Sequence, residues 1–392
     1  MGRKRVELLS PAGDLERLKV TLLYGADAVY IGGEKYNLRA NANNFSLEEI
    51  KEACSFAHNF GKRVYLTLNI VFHNEDITGV YEYIEKVVEA GIDAFIVSDL
   101  FLVSYIKKNF PVEVHLSTQA SATNYESVSF LKKQGLDRVV LAREVGRDDI
   151  LEIIEKTGCD IEVFIHGAMC TFVSGRCVLS NYFTNRDSNR GGCAQICRFC
   201  FQMDEYKEPF SMAVKDLKMS SCIKDMISLR IVSFKVEGRM RSPFYLATVL
   251  SSYRRIIDAV YDNSLTNEMI EREEKILSRV SNRENSLHFY NKEADVSDQY
   301  YIGRQESSNQ DYLGIIIGQK GNTYIVNQRN YFKLHDTVEI ITPNMEIITF
   351  QIDNLADESG NPISVANQAD SILMIKIDKD LPLYSMIRKC YL

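Results

Sequence analysis

Five of the nine cysteines in this 392-residue chain fall in one short stretch, spaced Cys170-x6-Cys177-x15-Cys193-x3-Cys197-x2-Cys200. Thiolates crowded in this way bind an iron-sulfur cluster, bind zinc, or serve as redox thiols. Structural zinc sites favour paired CxxC knuckles, and only Cys197 and Cys200 have that spacing. The spacing therefore points to an iron-sulfur cluster ahead of zinc or unligated thiols. The start, "MGRKRVELLSPAGD", lacks the apolar core and small-residue cleavage site of a signal peptide. No apolar run approaches a membrane span. The expectation is a cytoplasmic protein, where an odd number of cysteines reads as metal or redox chemistry rather than a disulfide framework.

Short β-branched runs that alternate with amphipathic stretches must position these thiols. Eight read as strands: "VELL", "AVYI", "RVYLTLN", "AFIV", "VEVHL", "RVVLA", "IEVFI" and, after an interruption, "IVSFKVEG". Helical stretches such as "SLEEIKEACSFAHNFG" and "DDILEIIEKTG" lie between them and end in glycine, which suits a helix C-cap. With no GxGxxG after the first strand, the pattern predicts an α/β fold, a (β/α)8 TIM-like barrel over residues 1–262. The cysteine cluster forms an insertion at 166–222. A charged helical and extended connector spans 263–308, around "NEMIEREEKILSRV", and 309–392 read as a small β-barrel domain of strands such as "YLGIIIG" and "ILMIKID".

A TIM-like barrel places its site at the C-terminal strand ends. Those ends carry Asn69, Asp99, Gln119, Arg143, His166, Glu237 and Arg239, polar company for apolar strands. The net charge of −7 argues against a globally basic nucleic-acid binder. Residues 170–241 nevertheless hold twelve Lys/Arg against seven Asp/Glu, which suits an anionic substrate. Arg143, Lys235, Arg239 and Arg241 are candidate phosphate or carboxylate contacts through guanidinium or ammonium donors. Arg186, Arg190, Asn69, Asp99 and Gln119 complete the candidate substrate-binding set. His166, Glu237 and Arg143 are the catalytic candidates, the first two for proton transfer; for His166, a role in orienting the cluster loop is an equal reading. Tyr182 and Phe183 are the aromatic pair suited to base stacking.

"CAQICRFC" looks like the signature of the radical S-adenosylmethionine enzymes, but it follows the seventh strand instead of the first and no glycine-rich run is placed to serve it. A wider resemblance spans nearly the whole chain. "ELLSPAGDLERLKVTLLYGADAVYIGG", "LRANANNFS", "STQASATN", "RVVLARE", "HGAMCTFVSGRCVLS", "NRGGCAQICR", "VKDL" and "FKVEGRMRSPFY" resemble the collagenase-like peptidase family U32, in order and spacing. The C-terminal β-barrel is similar to the branch of tRNA hydroxylation proteins. The resemblance implies a 4Fe-4S protein of oxygen-independent hydroxylation that converts the wobble uridine of tRNA to 5-hydroxyuridine, with prephenate as a co-substrate and a paralogous family member as a possible partner. It implies ligation by Cys170, Cys177, Cys193 and Cys197, with Cys222 and Cys200 as alternatives for the fourth position. The tail "SNRENSLHF" follows the family pattern only loosely, with Glu284 in place of a glycine.

Two other readings stay open. One is proteolysis by Cys170 or Cys177 activated by His166, although neither a GxSxG elbow nor an HExxH motif is present. The other is a noncatalytic RNA-binding module stabilised by zinc.

Overall fold

The structure, a computed structural model, describes residues 5–38, 44–204, 208–280, 283–300 and 310–390. Part of the "LRANANNFS" motif, the first two residues of "SNRENSLHF" and connector residues 301–308 lie outside the described residues.

Eight strands form the barrel: Glu7–Pro11, Ala28–Gly32, Arg63–Leu68, Ala94–Val97, Glu113–Leu116, Arg138–Val140, Asp160–Gly167 and Ser233–Val236. All pair in parallel and in sequence order, and the eighth closes onto the first, with Ser233 between Glu162 and Glu7. The outer helices start where the sequence supplies caps. Ser46 and Glu49 form a capping box before Leu47–Asn59, and Ser242 accepts from the Tyr245 N–H with Pro243 in the first turn. Gly158 ends Arg147–Thr157 at φ +54.

Alternation along the strands sorts side chains to two sides. Leu8, Val29, Val64, Phe95, Val114, Val139, Ile161 and Phe234 pack under the helices. Leu9, Ala28, Tyr30, Tyr65, Ala94 and Ile96 form a small apolar group inside the barrel. Below it, towards the N-terminal strand ends, lies a buried ionic network. Arg138 Nη1 is 2.6 Å from Glu7 Oε1 and 3.0 Å from Glu162 Oε2, and Lys235 Nζ is 2.8 Å from Glu162 Oε1. Tyr65 and Ser233 donate to Glu7. Lys235, at 4% exposed, therefore sits beneath the mouth with its charge committed to Glu162.

The seventh strand breaks the alternation. Its register with the eighth shifts between Lys235↔Phe164 and Val236↔His166, so one extra residue intervenes and His166 turns to the opposite side from Glu162. His166 thereby faces the helix Pro243–Tyr261, with Nδ1 3.2 Å from the Tyr253 hydroxyl. Burial pushes its imidazole down to about 3, with Lys218 and Arg241 adding to the shift. It stays neutral while folded, whereas an unfolded imidazole takes up a proton near pH 6.5. The unfolded state thus binds more protons between these values, and stability falls as pH drops from about 6.5 towards 3. Between pH 6.5 and 5 the expected loss is about 2 kcal/mol. His166→Gln should flatten this limb in urea titrations at the two pH values; an unchanged limb would contradict the assignment.

After the barrel, Tyr312–Lys320, Thr323–Gln328, Thr337–Ile341, Ile347–Gln351, Ile372–Lys376 and Met386–Lys389, with the short Ala356–Asp357, form a seven-stranded antiparallel sheet. It has its own core around Leu313, Ile316, Phe332, Ile340 and Ile375. This is the expected C-terminal β domain; among the described residues no pairing joins its two edge strands. It docks on the barrel's flank, where Ile315, Ile341 and Met386 join the barrel core. Phe244 stacks on Tyr312 at 4.7 Å, and the Tyr24 hydroxyl lies 2.8 Å from the Ile341 carbonyl.

The connector does more than link. Asn285–Ser286 pairs with Asp216–Leu217, and Gln299–Tyr300 pairs with Val214–Ala213, so this segment folds back onto the insertion and reaches the barrel mouth.

Candidate functional site

The insertion leaves the seventh strand at Gly167, which has φ +108 and where a Cβ would lie 2.2 Å from the Glu237 carbonyl oxygen. Only glycine lets the seventh and eighth strand ends approach this closely while the chain turns over the mouth. Gly167→Ala should destabilise the protein by at least about 1–3 kcal/mol and displace Glu237. A melting temperature equal to wild type would contradict this.

Beyond the turn, the cysteine segments tie one another in place. The Cys177 N–H donates to Asn189 Oδ1 at 3.2 Å, and Asn189 Nδ2 donates back to the Cys177 carbonyl at 2.9 Å. Ser188 also donates to that carbonyl. The Ala194 N–H bonds Ser180 Oγ at 3.1 Å, and the Met212 N–H bonds the Cys197 carbonyl at 2.9 Å. The "SNRGGC" run is thus a clamp that fixes Cys177 and Cys193 relative to each other.

These segments roof a cavity of about 540 Å³ at the C-terminal strand ends. Cys170, Cys177, Cys193 and Cys197 all line it, together with Gln119, Arg143, Glu237, Met240, Arg241 and Arg283. The Leu179 N–H points at Cys177 Sγ, 3.3 Å away. Burial raises the pKa of the Cys170 and Cys197 thiols, and the charge of neighbouring thiolates raises it further: Cys193 and Cys177 act on Cys170, and Cys170 on Cys197. Four thiols from two of the quoted runs thus share one space, with an N–H donor aimed at sulfur, and this donor set fits a thiolate-ligated group. Among the described residues, no three His, Cys, Asp or Glu side chains converge tightly enough to hold a single metal ion; the thiols rim the cavity.

Cations line the cavity as well. Asp216 holds Arg241 at 3.2 Å and Arg283 at 2.9 Å, so one carboxylate orients two guanidiniums that line the cavity. Arg143 donates to the Ala168 carbonyl at 3.0 Å and lies 4.0 Å over the Phe164 ring. Glu237 Oε2 is 3.0 Å from the Tyr30 hydroxyl. Positive side chains around a carboxylate and a thiol roof can bind an anion and move a proton in the same space.

The structure therefore brings together Gln119, Arg143, Glu237, Arg241 and the four cysteines. It places the other candidates elsewhere. His166 and Lys235 are described above. Arg239 is 4% exposed and donates to Asn37 Oδ1 at 2.7 Å, under Gly32. Asp99 caps the helix Leu100–Asn109, and Asn69 accepts from the Leu38 N–H. Arg190 pairs with Asp76 at 2.9 Å and lines a separate cavity with Glu34 and Tyr36. Arg186 is exposed on the outer side of the insertion. Cys200 is exposed, and Cys222 is buried in the turn Ser220–Cys222; neither lines the cavity. Arg283, Met240 and Asp216 are additions. The "VKDL" and "SNREN" runs hold two of them, but nothing in their spacing shows that the connector returns to the mouth.

Comparison with known proteins matches this architecture along its length. Residues 13–300 match Peptidase family U32, and 308–388 match the Peptidase family U32 C-terminal domain. The tRNA hydroxylation protein P1 of Bacillus subtilis (strain 168) is 43% identical over 402 residues, covering 98% of this chain and 95% of that protein. A 23S rRNA 5-hydroxycytidine synthase of Escherichia coli (strain K12) is 36% identical over 264 residues, covering 66% of this chain and 40% of that one. A collagenase of Porphyromonas gingivalis (strain ATCC BAA-308 / W83) is 36% identical over 319 residues, covering 76% and 74%. With both matches in chain order and a barrel mouth built from the motifs they span, this chain belongs to peptidase family U32.

Proposed function

We propose that this chain is an RNA-modifying enzyme that hydroxylates the wobble uridine of tRNA to 5-hydroxyuridine, with a 4Fe-4S cluster held by Cys170, Cys177, Cys193 and Cys197. The observation that carries the reading is that these four thiols line the same cavity as Arg143, Arg241, Arg283 and Glu237. Thiols spread around a cavity suit a group with several irons, each taking one sulfur. The full-length likeness to a tRNA hydroxylation protein, and the shorter likeness to an rRNA hydroxycytidine synthase, favour RNA as the substrate.

When bound, the cluster would carry away electrons that hydroxylating uracil C5 releases and would offer an electrophilic iron. The chain's own residues do the rest. Arg241 and Arg283, pinned by Asp216, match a phosphate flanking the target base or the two carboxylates of prephenate, the proposed co-substrate. Gln119 offers both an acceptor and a donor to the uracil edge. Glu237, held by the Tyr30 hydroxyl, is the group placed to take the proton from uracil C5. A Cys-His peptidase pair is not assembled in the cavity, because His166 faces Tyr253 and forms no part of its wall.

The test is nucleoside mass spectrometry of tRNA and rRNA from a strain lacking the gene. Loss of 5-hydroxyuridine-derived nucleosides from tRNA, with rRNA unchanged, is expected. A loss confined to rRNA would move the substrate.

A further inference from the structure

Scattered exposed apolar side chains are normal on a protein surface, but here many gather at one place. Val173, Val178, Tyr182, Phe183, Phe199 and Met203 all stand exposed on the insertion, within a few tens of residues that also carry the cavity's cysteines. Met240, 62% exposed, lines the cavity, and so do Ser174, Cys177, Ser180 and Arg198, chain neighbours of the exposed set. Exposed apolar side chains concentrated in one segment are a feature of contact sites.

Its chemistry narrows the occupant. The short helix Leu179–Thr184 turns Ser180 inward, where it lines the cavity and accepts from the Ala194 N–H. Tyr182, the most exposed of the set at 83%, is on the outward side. Phe183 is held edge-on by Phe201 at 6.3 Å, and Phe201 meets Phe210 at 5.9 Å, so one ring is braced while its neighbour is open. Arg186 and Arg176 stand exposed beside them. Among the described residues neither has a carboxylate partner, and Arg176 is anchored by donation from Nε to the Gln119 carbonyl. From residue 168 to 204 the insertion holds four arginines against two aspartates, on a chain of net charge −7. Flat aromatic rings with unneutralised guanidiniums, on the segment that carries the cavity's cysteines, match an unpaired RNA segment: bases stack on the rings and phosphates meet the arginines.

We propose that Tyr182 and Phe183 form a stacking platform for the unpaired bases flanking the one that enters the cavity, with Arg186 and Arg176 on the adjoining phosphates. The proposal rests on the RNA-hydroxylating function argued above.

The test is binding of a fluorescein-labelled, unmodified tRNA transcript to the full-length, anaerobically purified holoprotein, with iron and sulfide measured for every variant. Tyr182→Ala and Phe183→Ala should each raise Kd about tenfold, within the range of base-aromatic stacking, at unchanged iron content. Tyr182→Phe should bind like wild type, because the ring is kept. Arg186→Ala should weaken binding and reduce the salt slope by about one. Phe130→Ala, exposed on the distant helix Tyr125–Lys133, should change nothing. Wild-type affinity in both alanine variants would overturn the platform and leave the hydroxylation reading intact. If wild type fails to bind tRNA but captures a protein through Tyr182, both readings fall.

Discussion

Replacing Cys177 with serine is expected to strip the purified protein of most of its iron and sulfide and to reduce RNA hydroxylation at least a hundredfold, while leaving the barrel folded. A serine hydroxyl is a poor substitute for a thiolate on iron, and Cys177 is one of four thiols lining the cavity. The fold should survive because Cys177 is held by its backbone: Asn189 and Ser188 grip its N–H and carbonyl, and neither bond needs the sulfur. The same substitution at exposed Cys200, which does not line the cavity, should keep iron and activity near wild type. Iron and sulfide assays on both variants, with circular dichroism as the folding control, check the pair. Equal iron loss from both would contradict the assignment of the four ligands, and zinc without sulfide in the wild type would replace the cluster by a structural ion.

Glu162→Ala should be the most destabilising single change in the barrel, by about 3–5 kcal/mol, because removing one partner of a buried ion pair leaves the other charge uncompensated. Glu162 is fully buried and joins Lys235 to Arg138. Without it, among the described residues, Lys235 keeps the faces of Tyr30 at 4.5 Å and Phe164 at 5.6 Å. Replacing both charges, with Glu162→Leu and Lys235→Met, should recover much of the loss, as apolar substitutes for buried pairs often do. Burial by itself would raise the Glu162 carboxyl, but Lys235 and Arg138 outweigh it and hold the group down to about 2. Its folded pKa lies below the ordinary carboxylate value. The network's contribution is therefore present above about pH 4.3 and is lost as pH falls towards 2. Urea titrations of the three proteins at pH 7 and pH 3.5 test the sign. A Glu162→Ala variant as stable as wild type would contradict the network's role.

The eight strands are legible in the sequence because each is a short apolar, β-branched run, and most are followed by an amphipathic stretch that closes on a glycine, as at Gly25, Gly61, Gly91, Gly135 and Gly158. The grouping of the cysteines is legible because five thiols crowd one short stretch, and four of them line one cavity. What the sequence conceals depends on closure in space. Glu162 and Lys235 stand inside the strand runs "IEVFI" and "SFKV", but barrel closure is what pairs them and brings Glu7 to Arg138, 131 residues away. Lys235 therefore reads as a substrate contact when it is a partner of Glu162. His166 reads as a mouth residue from its place at the seventh strand's C-terminal end, and a one-residue register shift turns it to the helices. Arg283 lies beyond the barrel in sequence, and it reaches the cavity only because Asn285–Ser286 pairs back onto Asp216–Leu217.

The most direct test of the central claim, that the thiol-roofed cavity is where tRNA is hydroxylated, is complementation of a strain lacking this gene, read by nucleoside mass spectrometry of its tRNA. Wild type should restore the 5-hydroxyuridine-derived nucleosides, and an equally expressed Cys177→Ser protein should restore none. Full restoration by Cys177→Ser would contradict the account, because the reaction would then proceed without one of the four sulfurs on which it rests.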